Sequence, residues 1–265
     1  MKNPLVTIII ANYNNEVFIS ECINSLRNQT YKNIEIIFFD DFSKDNSINR
    51  IKSFNEVKII QNKEKTIIGS FNQMKAFEEG FKLSKGEIIF LLDSDDYFYK
   101  TKVEEIVMFF NNNKDAKIVF DYPIITKDKK FRNVKKKRKL FNRLWPYIHP
   151  TSCISIKSNY FNEILETVSI KLYPDIWLDF RLCIYSKYIL KKIYILNKNL
   201  TYYRQVDTNI SSRFKFLSSN WWKRRLEAHY YLVHFFNKKN IKYKKNLDYF
   251  ITKIYNLLLK WKLRL

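Results

Sequence analysis

The 265-residue chain reads as an α/β protein built on a mostly parallel sheet with helices on both faces. Two observations predict that class. β-Branched apolar runs recur along the first hundred residues, and stretches with helical apolar spacing separate them. A third observation bears on function: polar or acidic clusters directly follow three of the apolar runs.

The first run, "PLVTIIIANYN", is unbroken and bounded by polar residues, as in a strand buried on both faces. "NNEVFISECINSLRNQT" carries Val17, Phe18, Cys22, Ile23 and Leu26 at helical spacing. "IEIIFFDD" is a second buried strand, ending in Asp40 and Asp41. "SKDNSINRIKSF" reads as a capped helix and "EVKIIQN" as a third strand. "GSFNQMKAFEEGFKLSKG" predicts another helix closing at Gly86, and "EIIFLLDSDD" the fourth strand. Ligands of such sheets bind outside the carboxyl ends of the strands. Asn12–Asn14, Asp40–Asp41 and Asp93–Asp96 all fall there, so three clusters are expected to converge on one crevice.

Composition narrows the chemistry of that crevice. The chain has only three glycines, Gly69, Gly80 and Gly86, which excludes a glycine-rich phosphate cradle. Cys22, Cys153 and Cys183 are scattered without metal-ligand spacing and read as buried thiols of a reducing compartment. The first strand starts at once, leaving no room for a signal peptide, and no apolar run approaches the roughly 18 to 20 residues of a membrane span. A cytoplasmic protein is expected. Carboxylates as close as Asp93, Asp95 and Asp96 repel one another and need a positive partner. No histidine or cysteine accompanies them, so the partner is expected to be a hard divalent ion, Mg²⁺ or Mn²⁺, completed by ligand phosphates.

At this point the chain resembles the family-2 glycosyltransferases, inverting nucleotide-sugar enzymes of the GT-A fold. The stretch from "VTIIIANYNN" to "FFDDFSKDNS" is similar to the family's opening strand-helix-strand, and "KGEIIFLLDSDD" to its DxD strand. "YPDIWLDFRL" resembles its acceptor-side acidic motif, and "YRQVDTNISS" its closing YRxH-type segment. The four lie in the family's order across roughly residues 4–212. The resemblance implies a catalytic domain over 1–212, with a donor-binding half (1–100) and an acceptor half (101–212), followed by a basic helical extension (213–265). It implies that Asn12 and Tyr13 lie against the nucleotide's base and ribose. Asp41 would accept a hydrogen bond from the base, as a uracil N–H offers, so a UDP-sugar is favoured. Asp93 would lie near the ribose, and Asp95 would hold the metal that bridges the diphosphate. In the family the general base precedes an arginine by six residues, a spacing that Asp175 and Arg181 keep; Asp179 is the rival.

The chain departs from the family pattern in several places. Pro174 stands where Glu usually precedes the base, and Val206 where the closing motif carries histidine, with Asp207 able to supply an oxygen ligand instead. Phe77 and Glu78 replace a frequent Arg-Asn pair, and Lys100 a frequent proline. His149, Thr151 and Ser152, in "YIHPTSCISIK", are candidate acceptor-side contacts, with a purely structural turn as the alternative.

The formal net charge of +22 is segregated. Residues 1–126 carry 16 Lys/Arg against 18 Asp/Glu, whereas 127–139 carry 9 against 1 and 213–265 carry 14 against 2. In the tail, Trp222, Leu226, Tyr230, Val233 and Phe236 recur at helical spacing, and further on Ile254, Leu257, Leu258 and Trp261 stand among basic residues. Basic amphipathic helices suit an anionic membrane surface, with core packing as the rival. The expected activity is therefore transfer of a sugar to a glycan or lipid-linked acceptor by a peripheral protein at the inner face of the membrane. A polyprenyl-phosphate acceptor, a catalytically dead relative and a nucleic-acid-binding protein are the alternatives. Against the last, the basic residues lie outside the strand-end crevice and no nucleic-acid motif is present, so no nucleic-acid partner is expected.

Overall fold

The computed structural model describes residues 3–64, 66–128, 130–134, 144–205 and 214–262. The chain divides into two compact units, one of Met1–Ser169 with Leu178–Gln205, the other of Ile170–Trp177 with Val206–Leu265.

The first unit opens with β1 (Val6–Asn12), α1 (Glu16–Arg27), β2 (Ile34–Asp40), α2 (Ser47–Lys52), β3 (Val57–Gln61), α3 (Gly69–Lys82) and β4 (Ile88–Asp93). All seven predicted elements are present, in order. Two helix ends differ from expectation. α2 starts later than the sequence suggests because Asp45 draws the chain into a turn: its carboxylate accepts the Ser47 and Glu16 backbone N–H groups at 3.0 and 2.9 Å. α3 stops at Lys82, short of Gly86, whose role is different. The Gly86 N–H donates to Thr7 Oγ1 (2.9 Å), and a Cβ there would lie 2.4 Å from the Thr7 nitrogen. Glycine is needed for this close approach of backbones, not as a helix cap.

The unit continues with β5 (Tyr97–Phe98), α4 (Lys102–Asn112), β6 (Ile118–Lys127), β7 (Lys130–Asn133), β8 (Ile154–Lys157), α5 (Phe161–Val168), α6 (Leu178–Tyr188) and β9 (Tyr194–Arg204). Among the described residues the strands form one sheet in the order β3-β2-β1-β4-β8-β6-β9-β5, with β7 also paired to β6. The first four strands are parallel. β8 runs antiparallel to both β4 and β6, so the sheet is mixed beyond β4, and β9 returns parallel to β6.

The unbroken apolar runs follow from burial on both faces. Ile8, Ile10, Phe38, Phe90 and Leu92 share one cluster with Ile19, Ile23 and Leu26 of α1 and Ile106 and Phe110 of α4. Alternate residues such as Ile9, Ile37 and Leu91 are equally buried on the other face, where Gly80 of α3 approaches Ile9 closely. Apart from Thr7 and Glu35, which hydrogen-bond each other near the start of β1 and β2, the interior positions of β1, β2 and β4 are apolar on both faces, so the other polar residues appear where the strands end.

The second unit contains α7 (Ser219–Lys238) and α8 (Leu247–Lys262). Ser218 caps α7, its Oγ accepting the Trp221 N–H at 3.2 Å. α7 buries Ala228, Tyr231, Leu232, Phe235 and Phe236, so of the stripe expected from spacing only Phe236 is buried, and Tyr230 is 40% exposed. The facing side is selected by polar contacts to α8, which apolar periodicity does not register: Arg225 donates to Asp248 Oδ1, and His229 Nε2 lies 3.1 Å from Asp248 Oδ2.

Gly86→Ala is expected to cost about 1–3 kcal/mol through overpacking against the β1 backbone. Urea denaturation reads this directly; an unchanged midpoint would show that the junction relaxes freely.

Candidate active site

Parallel register brings the three polar clusters together. Asn12 is opposite Asp40 across the β1–β2 pair, and Ala11 is opposite Asp93 across β1–β4. Asn12 is enclosed at 2% exposure and acts as the hub. Its Nδ2 donates to Asp40 Oδ1 (2.8 Å) and Ser43 Oγ (3.1 Å), and its Oδ1 accepts from Ser94 Oγ (2.7 Å). Its amide is engaged within the protein and ties the three strand ends to one another. Tyr13 beside it is 42% exposed. Asp40 is a further tie, accepting the Ser43 N–H at 3.0 Å. Asp41 is buried; its N–H donates to the Asn12 carbonyl, and its Oδ1 accepts from Asn62 Nδ2 (3.0 Å).

After β4 the DSDD turn folds back, with the Asp96 N–H on the Asp93 carbonyl (2.9 Å). Asp93 and Asp95 are half-buried and Asp96 is enclosed. Burial, then the neighbouring charge of Asp95, pushes Asp93 up to about 7, partly opposed by a hydrogen bond from Gln73 Nε2 (3.0 Å). Burial also raises Asp95, while the cationic Arg204 pulls it back. Asp96 is raised well above the carboxylate range, by burial first and by Asp95 and Asp93 next. The turn thus concentrates negative charge where water is scarce, an arrangement suited to a cation.

The turn is held from the protein side by Ser152. Its hydroxyl accepts the Asp93 N–H (3.0 Å) and donates to Asp96 Oδ2 (2.6 Å). Its carbonyl accepts from the fully enclosed Lys102 ammonium (2.6 Å), which also donates to Asp121 Oδ1 (2.9 Å) and the Thr201 hydroxyl. The Arg204 N–H completes the set on Asp96 Oδ1 (2.8 Å). His149 is 1% exposed, with Nδ1 2.7 Å from the Asp121 carbonyl, and burial lowers its pKa to about 4, so the ring is neutral with Nδ1 carrying the proton. Thr151 is buried and shares Gln73 Nε2 with Asp93. The side chains of His149 and Ser152 support the site from within the protein.

The structure brings Asn12, Asp41, Asp93, Asp95, Thr151 and Ser152 into one region of the first unit. Asp175 belongs to the second unit, where its backbone N–H bonds the Glu227 carboxylate and its charge, after burial, raises the Glu227 pKa. Asp179, in the first turn of α6, lies in the first unit, and its charge contributes to raising Asp93. Val206 and Asp207 lie outside the described residues. Among the described residues no group of three His, Cys, Asp or Glu side chains stands ready to hold a metal. One or two carboxylates would have to share the ion with oxygens of a ligand, the usual shell of Mg²⁺.

Comparison with known proteins identifies the scaffold. Residues 7–168 match Glycosyl transferase family 2. The chain belongs to that family. An uncharacterized glycosyltransferase of Nostoc is 33% identical to this family-2 chain over 213 residues, covering 75% of the chain and 64% of the relative. The Escherichia coli UDP-Glc:alpha-D-GlcNAc-diphosphoundecaprenol beta-1,3-glucosyltransferase WfaP is 40% identical over 121 residues, covering 44% and 45%. The chain thus spans less than two thirds of the length of these relatives. Among solved structures, residues 1–349 of Staphylococcus aureus TarS in complex with UDP-GlcNAc superpose with a TM-score of 0.62 at 17% identity, covering 86% of the chain and 66% of that TarS chain. A Pyrobaculum calidifontis mannosyltransferase in complex with GDP-Man and Mn²⁺ gives 0.56 at 16% identity, covering 97% and 70%. These likenesses show the GT-A fold.

Sequence reasoning missed Lys102, Asp121, Gln73 and the position of Arg204. Lys102 and Asp121 carried a signal, a charged residue inside an otherwise apolar stripe or strand, which on burial demands a partner. Lys102→Met would leave the Asp121 carboxylate buried without its cation, and a loss of about 3–5 kcal/mol is expected in chemical denaturation, largely recovered by adding Asp121→Asn. A second expectation concerns pH. Folding raises the Asp93 pKa, so the stability linked to its proton is full below about pH 4 and is lost as pH rises through about 7. Asp93→Asn is expected to flatten that slope and to raise stability at pH 8, measured by denaturation in chelator; an unaltered slope would show that Asp93 is already ionised.

Proposed function

We propose that the protein transfers a sugar with inversion from a nucleotide-diphosphate sugar, a UDP-sugar by preference, to a hydroxyl of a glycan or lipid-linked saccharide in surface polysaccharide or glycoconjugate synthesis. The observation that carries the proposal is the convergence of Asp41, Asp93 and Asp95 at the carboxyl edge of a family-2 sheet. The ligands named for the neighbours, UDP-GlcNAc in one and GDP-Man with Mn²⁺ in another, support a nucleotide-sugar donor. The lipid-linked sugar in the name of the E. coli relative supports the acceptor class.

In this reading Asp41 receives the base N–H, Tyr13 covers the base or ribose, Asn12 fixes the strand ends around them, and Asp93 meets the ribose. An all-oxygen, charge-crowded turn fits Mn²⁺ or Mg²⁺, with Asp95 as its protein ligand and Asp207 as a candidate second. The ion would supply charge stabilisation to the departing diphosphate. Inversion requires an acceptor oxygen attacking opposite that leaving group, with a carboxylate taking its proton. We assign the proton to Asp175 on the family's spacing to Arg181. A second reading assigns it to Asp179, because of these two candidates Asp179 is the one whose field reaches Asp93. The reaction is placed at the cytoplasmic face of the membrane, as a peripheral protein attracted by the segregated positive charge. No helix of the described residues is long and apolar enough to cross a membrane.

The test is one experiment with three variants. Nucleotide sugars are screened for thermal stabilisation with and without Mn²⁺, and transfer is then measured with the donor so identified. Asp95→Ala is expected to abolish metal-dependent nucleotide binding and turnover. Asp175→Asn is expected to keep donor binding and lose about 10² to 10⁴ in rate, with Asp179→Asn costing much less. The reverse ranking moves the base to Asp179. Full rates from both variants point instead to a phosphate acceptor, which needs no base.

A further inference from the structure

α8 has its polarity inverted. Among its described side chains, those buried are Tyr249, Thr252 and Asn256, two of them polar, spaced i, i+3, i+7. Asn256 Nδ2 donates to the Trp222 carbonyl (2.9 Å), and Tyr255 stacks on Trp222 at the margin (4.4 Å). Asp248 at the start of the helix is bound by Arg225 and His229. Six large apolar residues point the other way, while Leu259 is half-buried on the inner side. Leu247, Phe250, Ile251, Ile254, Leu257 and Leu258 are exposed by 74, 49, 48, 58, 53 and 61%, and their spacing puts them on a single stripe opposite Thr252 and Asn256. Scattered surface leucines are ordinary, but a contiguous stripe of this size marks a surface that something covers.

Charge indicates what covers it. Exposed lysines 238, 239, 242, 244, 245 and 253 belong to the same two helices and the loop between them. The two acidic residues of 213–265 are both engaged within the unit, Asp248 as above and Glu227 by the Asp175 N–H. A second copy would bring the same uncompensated positive charge against itself. An anionic lipid surface would not. Sixteen residues make a helix of about 24 Å, suited to lying in the plane of the interface.

We propose that the outward stripe of α8 inserts into the interfacial layer of an anionic bilayer, with the flanking lysines on lipid phosphates. The inference deepens the membrane location proposed above by naming the element that binds. It is tested by flotation of the full chain with vesicles of phosphatidylcholine alone and with about 30% phosphatidylglycerol. Wild type is expected to bind the anionic vesicles in a salt-sensitive manner. The exposed double variant Ile254→Asp/Leu258→Asp should bind at least tenfold more weakly, and Lys244→Glu/Lys245→Glu should also bind more weakly. Thermal stability and Mn²⁺-dependent nucleotide stabilisation are read in parallel, so that loss of membrane binding is distinguished from failure of the glycosyltransferase reading. Equal vesicle binding by Ile254→Asp/Leu258→Asp and wild type would overturn the proposal. So would a wild-type dimer in sedimentation velocity that this variant dissolves without any change in vesicle binding, which would assign the stripe to a second copy.

Discussion

The first unit depends on one buried ion pair. Lys102 and Asp121 have no exposed surface, and the ammonium holds three groups at once: the Asp121 carboxylate, the Thr201 hydroxyl and the Ser152 carbonyl. Thr201 donates in turn to Asp121 Oδ2 at 2.7 Å. α4, β6, β9 and the turn at Thr151–Cys153 therefore meet at a single charged point. Burying two charges costs several kcal/mol per ion before their attraction and hydrogen bonds offset it, and apolar residues of equal volume often stabilise as well. What the pair adds is position. A leucine can slide against its neighbours, whereas an ammonium with three fixed acceptors cannot, and Ser152 passes that fixed position on to Asp93 and Asp96.

That constraint explains how the DSDD turn keeps its shape against its own repulsion. Asp96 is enclosed and receives both the Ser152 hydroxyl and the Arg204 N–H, while Asp93 keeps Gln73 on one oxygen. Each bond favours the ionised carboxylate, and burial opposes it more strongly. Without a cation the turn is therefore a local source of instability, maintained by the network beneath it. A divalent ion bound there, as proposed above, would relieve that repulsion.

Much of this architecture was readable in the residues, for a physical reason. Double-sided burial forces apolar runs, helices crossing the sheet force 3.6-residue spacing, and polar residues are left at the strand ends, so seven elements and the acidic edge were apparent. The supports of that edge were not. Lys102 and Asp121 are 19 positions apart, Ser152 and Asp96 are 56 apart, and Arg204 reaches Asp96 across 108. Such pairings have no local period. The end of α3 was misjudged because Gly86 has two possible uses, a cap or a close approach, and only the position of Thr7 decides between them.

The helices of the second unit show a different limit. Periodicity reports that a stripe exists but not which way it points. On α8 the direction is set by Arg225, His229 and Trp222 of α7, whose partners Asp248 and Asn256 draw the polar side inward. An outward apolar stripe edged with lysines then complements the nearly neutral composition of residues 1–126. Had the lysines lined the strand-end crevice, lipid phosphate would compete with a nucleotide diphosphate for the same cations. Carboxylates in the crevice instead repel bare phosphate, and in the proposed reaction a diphosphate would enter only in company with a divalent ion. On the membrane location proposed above, keeping the two kinds of charge apart would let one protein sit on an anionic surface while its crevice discriminates against that surface.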